Sequence, residues 1–600
     1  LIKRMLSGLL CAFLSASPYA SIQSGADRLI NAIDPTMNIG IEVVDVTTGA
    51  ILYSRNQART FIPASNMKLF SDAAALMVLG PDYRFRNQLS TNASQLQQGI
   101  LKGSLYLHLS GDPSFSHERL ASLIAGLKAW HINRIQGNVY IDSSHAVANP
   151  YPPGWMTTDL VYSYGAPAAP LIIDTNRLMV TVNPADKPGE PAIIETDDAS
   201  GSILINNQVK TKATSAHCGV DFSMDKDNHL TVRGCVGVGQ WAVMQKMAIR
   251  NPLTYAQGLI KRQLSEANIA FEGDVLLGKA PSGSLLIASE TSKPISQLMA
   301  DTLKPSDNLY ADSLFLHAAE KLNGAPVDWS EAQFIIKKFI QQQTGIELGN
   351  AVLTDGSGLS RHDLLTPNQT ASLLRFLYER FPLAYEYIAA LPVSGRDGTL
   401  QRRFKKPNQQ DMVRAKTGTM TGVVSLSGYL YTANAHTLAF AIFINNRPGT
   451  SPAISGRYRS LVDSLCTYFL QQKPGNNILS RVFSSHNRIK FQQNPTQAEL
   501  QRGRQARWRR LETVVKQSLK GQPVAVIYRG NELVLKDNQP DAARVLNTLQ
   551  ALRKKYAFAV ALFAQSMPAS TGDKPLVLWT QSVDSLGPAQ RIWIIREAVA

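Results

Sequence analysis

Residues 61–69 read Phe61-Ile62-Pro63-Ala64-Ser65-Asn66-Met67-Lys68-Leu69. Met67, Leu69, Ala73, Ala74 and Leu76 predict a helix from about Ser65 that is apolar on most sides, and such a helix is buried. Three positions apart on that helix, Ser65 and Lys68 share a face, so the amine reaches the hydroxyl. Serine is a poor nucleophile at its free pKa and needs an adjacent base. Lysine accepts a proton only when neutral, and burial or a second cation pushes it that way. A Ser and a Lys at this spacing are common on solvated helices, so the rest of the chain has to supply the context.

Two short motifs follow in order, Ser306-Asp307-Asn308 and Lys416-Thr417-Gly418. The first offers hydroxyl and amide groups that relay a proton and hold a peptide backbone; alone it would be a helix cap. The second stands just before a strand expected over Val423–Tyr431, at the start of an extended segment or within one. A strand edge binds an extended peptide by backbone pairing, and Gly418 lets that backbone come close to a ligand. Lys416 suits either the second cation or a partner for a substrate carboxylate. A tetrahedral intermediate needs N–H donors, and the amides of Ser65 and Thr419 are the natural candidates. K-T-G alone is usually a turn. All three in this order, one on an apolar helix and one beside a strand, make chance the minor explanation.

The set S-x-x-K, S-D-N, K-T-G is shared by β-lactamases and penicillin-binding proteins. The chain resembles low-molecular-mass penicillin-binding proteins of the D-alanyl-D-alanine carboxypeptidase/endopeptidase type with a large insertion in a transpeptidase-like domain. The likeness extends to Leu79-Gly80-Pro81-Asp82-Tyr83-Arg84-Phe85, Gly111-Asp112-Pro113, Pro153-Gly154-Trp155, the segment Asp355 to Ser360 and the segment Leu391 to Leu400. It covers about residues 30–470. Ser65 and Ser306 are 241 positions apart (306 − 65), far more than a β-lactamase needs.

The resemblance implies that Ser65 is acylated with Lys68 as base, that Ser306 and Asn308 relay protons and position substrate, and that Lys416 and Thr417 grip a terminal carboxylate. Asp159 resembles a residue that contacts the amino group of the stem peptide's diamino acid; its plain alternative is a surface Asp. Asp355 and Ser357 suit loop shaping as well as substrate contact. The implied substrates are peptidoglycan stem peptides, with β-lactams as covalent inhibitors and no cofactor. A β-lactamase of the Glu-assisted kind would need E-x-x-L-N after the second motif. Glu320-Lys321-Leu322-Asn323 is one residue short and too close to Asn308. A catalytically weak wall-binding protein would not need all three motifs intact.

The 600 residues suffice for roughly three to four domains at about 150 residues each. The implied fold is a multidomain α/β (α+β) chain: a β-lactamase/transpeptidase-like domain over 21–90 and 286–474, split by a β-rich insertion over 91–285, then a basic α+β domain over 475–600. A hairpin is expected over 39–54 and helices over 295–303, 311–322 and 329–343. The last part reads as a helix, a hairpin (524–528, 533–535), a helix (541–555) and strands near 557–563, 576–580 and 591–596.

Residues 476–600 hold 19 Lys and Arg against 8 Asp and Glu, leaving about +11 of the chain's +16 in its last fifth. Arg502, Arg504, Arg507, Arg509 and Arg510 crowd around Trp508. Docking to anionic wall polymer, membrane surface or an envelope protein fits such a segment. Nucleic acid fits the charge but not a secreted chain. Secretion is read from the start: Lys3 and Arg4, an apolar stretch Met5 to Leu14, then small residues, which is the order of a signal peptide over about 1–20. That places the protein in the periplasm or envelope. Cys218 and Cys235 flank a hairpin-like segment, and a disulfide there suits an oxidising compartment. Cys466 falls in an apolar helical pattern. No C-x-x-C or H-E-x-x-H occurs, so no metal site is expected.

Overall fold

The computed structural model describes residues 18–472 except 93–95, 143–148, 169–170, 381–382, 434–435 and 447–451, and in the C-terminal part residues 512–513, 515–519, 524–529, 532–537, 548, 559–564 and 591–596. Strand Ile39–Asp45 shows how the catalytic unit is layered. Ile39, Ile41 and Val43 enter one apolar cluster, and Val44 and Val46 enter another on the opposite face. Strand Thr437–Ile444 repeats the alternation, with Leu438, Phe440, Ile442 and Ile444 on the first side and Ala439, Ala441 and Phe443 on the second. Period-two patterning that is apolar in both phases means a sheet covered on both faces.

These strands lie inside a five-stranded antiparallel sheet in the order 413–420, 423–431, 437–444, 39–45, 51–55. Helices Pro18–Asn31 and Pro452–Gln471 cover one face through Ile22, Ala26, Ile30, Leu461, Leu465 and Phe469. Helices Lys68–Leu79, Ile295–Leu303, Asn308–Asn323, Trp329–Thr344, Pro367–Glu379 and Ala384–Ala390 cover the other. Every residue of helix Lys68–Leu79 except Met77 is buried, as its all-round apolar character requires. Cys466 is buried among the residues of the first face.

The chain leaves this unit through strand Arg86–Thr91 and returns through strand Leu285–Thr291, which pair antiparallel. Between them lie several small sheets with an apolar interior of their own. Two helices, His117–Ala129 and Pro252–Glu266, interrupt the strands. Strand Val220–Met224 pairs with His229–Gly237, and a disulfide joins Cys218 to Cys235, whose Cα atoms are 5.0 Å apart.

In the C-terminal part, strands 524–529, 532–537, 591–596 and 559–564 form a four-stranded antiparallel sheet in that order. The expected helix over 541–555 apart from residue 548, the expected strand over 576–580, the arginine cluster around Trp508 and the leader up to residue 17 lie outside the described residues. Among the described residues, no helix is long and apolar enough to cross a membrane.

Candidate active site

The turn that presents Ser65 is fixed from both sides before the helix begins. Phe61 exchanges backbone hydrogen bonds with Leu365 (2.8 and 3.0 Å). Asn445 brackets Ile62, accepting from its N–H at 2.7 Å and donating to its carbonyl at 3.0 Å. Ser425 donates to the Pro63 carbonyl at 2.7 Å and accepts from the Asn66 amide at 2.6 Å. Ala64 then takes φ +47° in the 3-10 turn Ala64–Met67. A non-glycine residue in this region is held there by its surroundings, and such strain gathers at functional sites. Opposite the turn, a side chain on Gly358 (φ +79°) would meet the Ala64 carbonyl at 1.9 Å, so only glycine fits.

Lys68 lies wholly inside. Its Nζ is 3.1 Å from Ser65 Oγ, 2.6 Å from Asn308 Oδ1 and 2.7 Å from the Ser357 carbonyl. Two of these neighbours are pure acceptors. A neutral amine has two N–H groups for them and one lone pair left for the Ser65 hydroxyl. The Asn308 orientation follows from its other end, where Nδ2 donates to the Tyr164 carbonyl at 2.8 Å. Burial pushes the Lys68 pKa down to about 8, against the pull of Asp312, Asp355, Asp307 and Asp72. Burial, rather than a neighbouring cation, is thus the leading cause at this lysine.

Ser306 also has a positive φ, +66°. Its Oγ accepts from Lys416 Nζ at 2.7 Å, and Lys416 Nζ also donates to the Thr417 carbonyl at 2.8 Å. Lys416 is fully buried, and burial with the charge of Lys68 lowers its pKa well below the ordinary lysine value. Asp307 caps helix Asn308–Asn323 by accepting from the Tyr310 N–H at 3.2 Å. Arg177 grips both carboxylate oxygens of Asp307, one of them at 2.8 Å. The inserted block therefore holds this motif at two points, through Arg177 and the Tyr164 carbonyl.

The K-T-G motif lies within strand Val413–Met420, at the edge of the five-stranded sheet. Thr417 Oγ1 donates to Thr399 Oγ1 at 2.8 Å on the exposed side, and Thr419 is exposed. Gly418 needs a different reason from the one expected. A Cβ there would meet Ser425 Oγ at 2.1 Å, the Pro63 carbonyl at 2.9 Å and Asn66 Nδ2 at 3.0 Å. The close approach is to the turn that carries Ser65, behind the strand, and it locks strand and turn together.

Asp159 sits on the short 3-10 helix Asp159–Val161 and accepts from the Tyr164 hydroxyl at 3.2 Å. It therefore flanks the same segment that holds Asn308. Asp355 shapes its loop: it accepts from the Gly358 N–H (2.6 Å), the Ser360 N–H (2.7 Å) and Trp155 Nε1 (2.7 Å). Pro153-Gly154-Trp155 docks there, with the Pro153 carbonyl accepting from the Ser360 hydroxyl at 2.8 Å. Ser357 contributes its backbone carbonyl to Lys68. Sequence patterns do not show a carbonyl contact of that kind. Arg177 likewise carried no signal. Asp72 and Asp312, both fully buried beside Lys68, were also missed, although Asp72 is one helical turn from the lysine and readable at that spacing.

The arrangement offers a serine hydroxyl with an adjacent amine able to be neutral, a second hydroxyl joined to a second amine, and an open strand edge alongside. The family model of the D-Ala-D-Ala carboxypeptidase 3 (S13) family matches residues 27–465. The chain is 31% identical over 443 residues to the D-alanyl-D-alanine carboxypeptidase DacB of Haemophilus influenzae, covering 73% of this chain and 91% of that protein. It is 32% identical over 465 residues to the D-alanyl-D-alanine carboxypeptidase of Actinomadura sp. strain R39, covering 73% and 85% respectively. The crystal structure of penicillin binding protein 4 from Haemophilus influenzae superposes with a TM-score of 0.67 at 30% identity, over 74% of this chain and 99% of that one. A second structure of that protein, complexed with a β-lactam, gives 0.63. Motifs, fold and relatives agree that this chain belongs to the D-Ala-D-Ala carboxypeptidase 3 (S13) family of serine hydrolases.

Proposed function

We propose that the protein is a serine-type D-Ala-D-Ala carboxypeptidase/endopeptidase that acts on peptidoglycan stem peptides through an acyl-enzyme on Ser65. One observation carries the assignment of residues: Lys68 Nζ bridges Ser65 Oγ and Asn308 Oδ1 while Lys416 Nζ holds Ser306 Oγ. Ser65 Oγ attacks the D-alanyl carbonyl carbon and its proton passes to neutral Lys68. The amides of Ser65 and Thr419 take the developing oxyanion. The leaving amine takes a proton through Ser306, next to Lys416, and the proton held by Lys68 makes good that loss, so Lys68 is neutral again. Water then attacks the ester carbonyl and gives its proton to Lys68, which returns it to Ser65 Oγ as the ester C–O bond breaks.

Thr417, half-buried beside exposed Thr399, makes the direct contact with a substrate carboxylate, while buried Lys416 acts from behind through its hydrogen bond to Ser306. Asp159 attracts the amino group of the stem's diamino acid. β-Lactams acylate the same serine. A carboxypeptidase releases free D-alanine and an endopeptidase releases a second stem, so the bond attacked is the same. Glu320 pairs with His317 near the C-terminal end of helix Asn308–Asn323, which does not favour a lactamase water site.

The sequence order at the N-terminus and the Cys218–Cys235 bridge support a periplasmic or envelope location. The basic C-terminal segment supports docking to anionic wall polymer. Incubation with pentapeptide monomers and cross-linked dimers from sacculi tests the assignment: loss of D-alanine or conversion of dimer to monomer is expected, and Ser65→Ala abolishes both. Hydrolysis by the Ser65→Ala protein overturns it. Replacing Arg502, Arg504, Arg507, Arg509 and Arg510 by Ala weakens co-sedimentation with sacculi; unchanged binding refutes the docking role.

A further inference from the structure

The mechanism above leaves several buried ionisable groups unused, and one of them stands on the helix of Lys68 itself. Asp72 lies four residues after Lys68 on helix Lys68–Leu79, so it occupies the same face one turn on. It has no exposed surface, and neither of its carboxylate oxygens has a hydrogen-bond partner among the described residues. Burial pushes its carboxyl well above the ordinary carboxylate range, and the charges of Lys68 and Lys416 pull it back toward the anion. Its charge reaches Lys68 and Lys416 together, and beyond them the buried Tyr387 of helix Ala384–Ala390. Tyr387 does not bond it, since its hydroxyl donates to the Leu69 carbonyl at 2.8 Å.

We propose that Asp72 is a positioning residue of the catalytic unit: once ionised, one helical turn from Lys68, it holds the proton on that lysine and so sets the pH at which Ser65 becomes a nucleophile. This inference rests on Ser65 and Lys68 acting as nucleophile and base. The other charges that reach Lys68 are Asp307 and Asp312 on or beside helix Asn308–Asn323, Asp355 on the facing loop, and Lys416 on the edge strand. Asp307 is already committed to Arg177, Asp355 to three donors around its loop, and Asp312 to the Gly356 N–H at 2.8 Å. Asp72 alone has its charge uncommitted to any hydrogen bond in this group. It therefore acts on the lysines without fixing any loop, and its removal changes the proton balance more than the shape.

The test is the acylation rate of the full chain by a fluorescent penicillin between pH 5 and 10. The acid limb of this profile reports the base of the free enzyme. In Asp72→Asn, nearly the same size, the limb moves to lower pH by about two units, the shift expected when one anion about 6 Å away is neutralised at an effective dielectric near 20. Below the wild-type midpoint the variant is therefore faster, up to about 100-fold. Asp72→Glu keeps the charge and keeps the limb in place. A profile identical to wild type in a folded Asp72→Asn protein overturns the proposal, because the group is then neutral throughout. A uniform loss of rate at all pH values in both variants also overturns it, leaving only a packing role. Failure of the wild type to form an adduct on Ser65 would instead strike at the assignment of the nucleophile.

Discussion

Arg177 offers the sharpest test of how the inserted block serves the active site. It begins strand Arg177–Asn183, and its guanidinium grips Asp307 between Ser306 and Asn308, the two residues proposed to relay protons and position substrate. The two side chains are 17% and 16% exposed. Desolvation disfavours the Asp307 anion, yet the Arg177 hydrogen bonds and charge hold its carboxyl below the usual carboxylate range. Removing one partner of a buried pair costs about 3–5 kcal/mol, because the other charge stays behind unpaired. The residual exposure here brings the cost of Arg177→Met to about 2–3 kcal/mol. If half or more of it is felt at Ser306 and Asn308, acylation of Ser65 by a fluorescent penicillin slows about tenfold or more. Asp307→Asn in the same chain removes the stranded charge. The double variant is then faster than Arg177→Met alone, and the cycle yields a coupling of about 1 kcal/mol or more. An Arg177→Met protein within twofold of wild type, with coupling below about 0.3 kcal/mol, refutes the idea that the insertion holds this motif in place.

Burial pushes the Lys68 pKa down to about 8, so the neutral base is about one-tenth populated at pH 7 and acylation falls about tenfold for each further unit of acid; a flat rate between pH 6 and 9 contradicts this. Gly418→Ala drives a Cβ to 2.1 Å from Ser425 Oγ and 2.9 Å from the Pro63 carbonyl. The edge strand must move off the nucleophile turn, and acylation drops about 100-fold in a protein that still folds; wild-type rates in that variant show that strand and turn are not locked.

The hairpin over 39–54 and the strand over 423–431 were legible from their own patterning, while the sheet that joins them was implied by the family resemblance carried by the three motifs. Helix His117–Ala129 was not seen in a stretch read as β-rich. Leu120, Leu123, Ile124 and Leu127 do carry its period, but short alternating strands on both sides mask a single amphipathic helix. Gly418 was read as clearance for a ligand; the structure adds close neighbours from residues 63, 66 and 425, and sequence gives no distance to them. The grip of Arg177 on Asp307 spans 130 positions, and the Ser357 carbonyl acts through the backbone. Long-range ties and main-chain contacts of this kind leave no residue pattern. Asp72 did leave one, four residues from Lys68, and passed as part of a buried apolar helix.

The most direct test of the acyl-enzyme account is intact-mass and peptide mapping of the purified protein after incubation with a fluorescent penicillin. A single stable adduct on the peptide carrying Ser65, absent from Ser65→Ala, is the predicted result. A folded protein that takes up no label, or one labelled at another residue, contradicts the account.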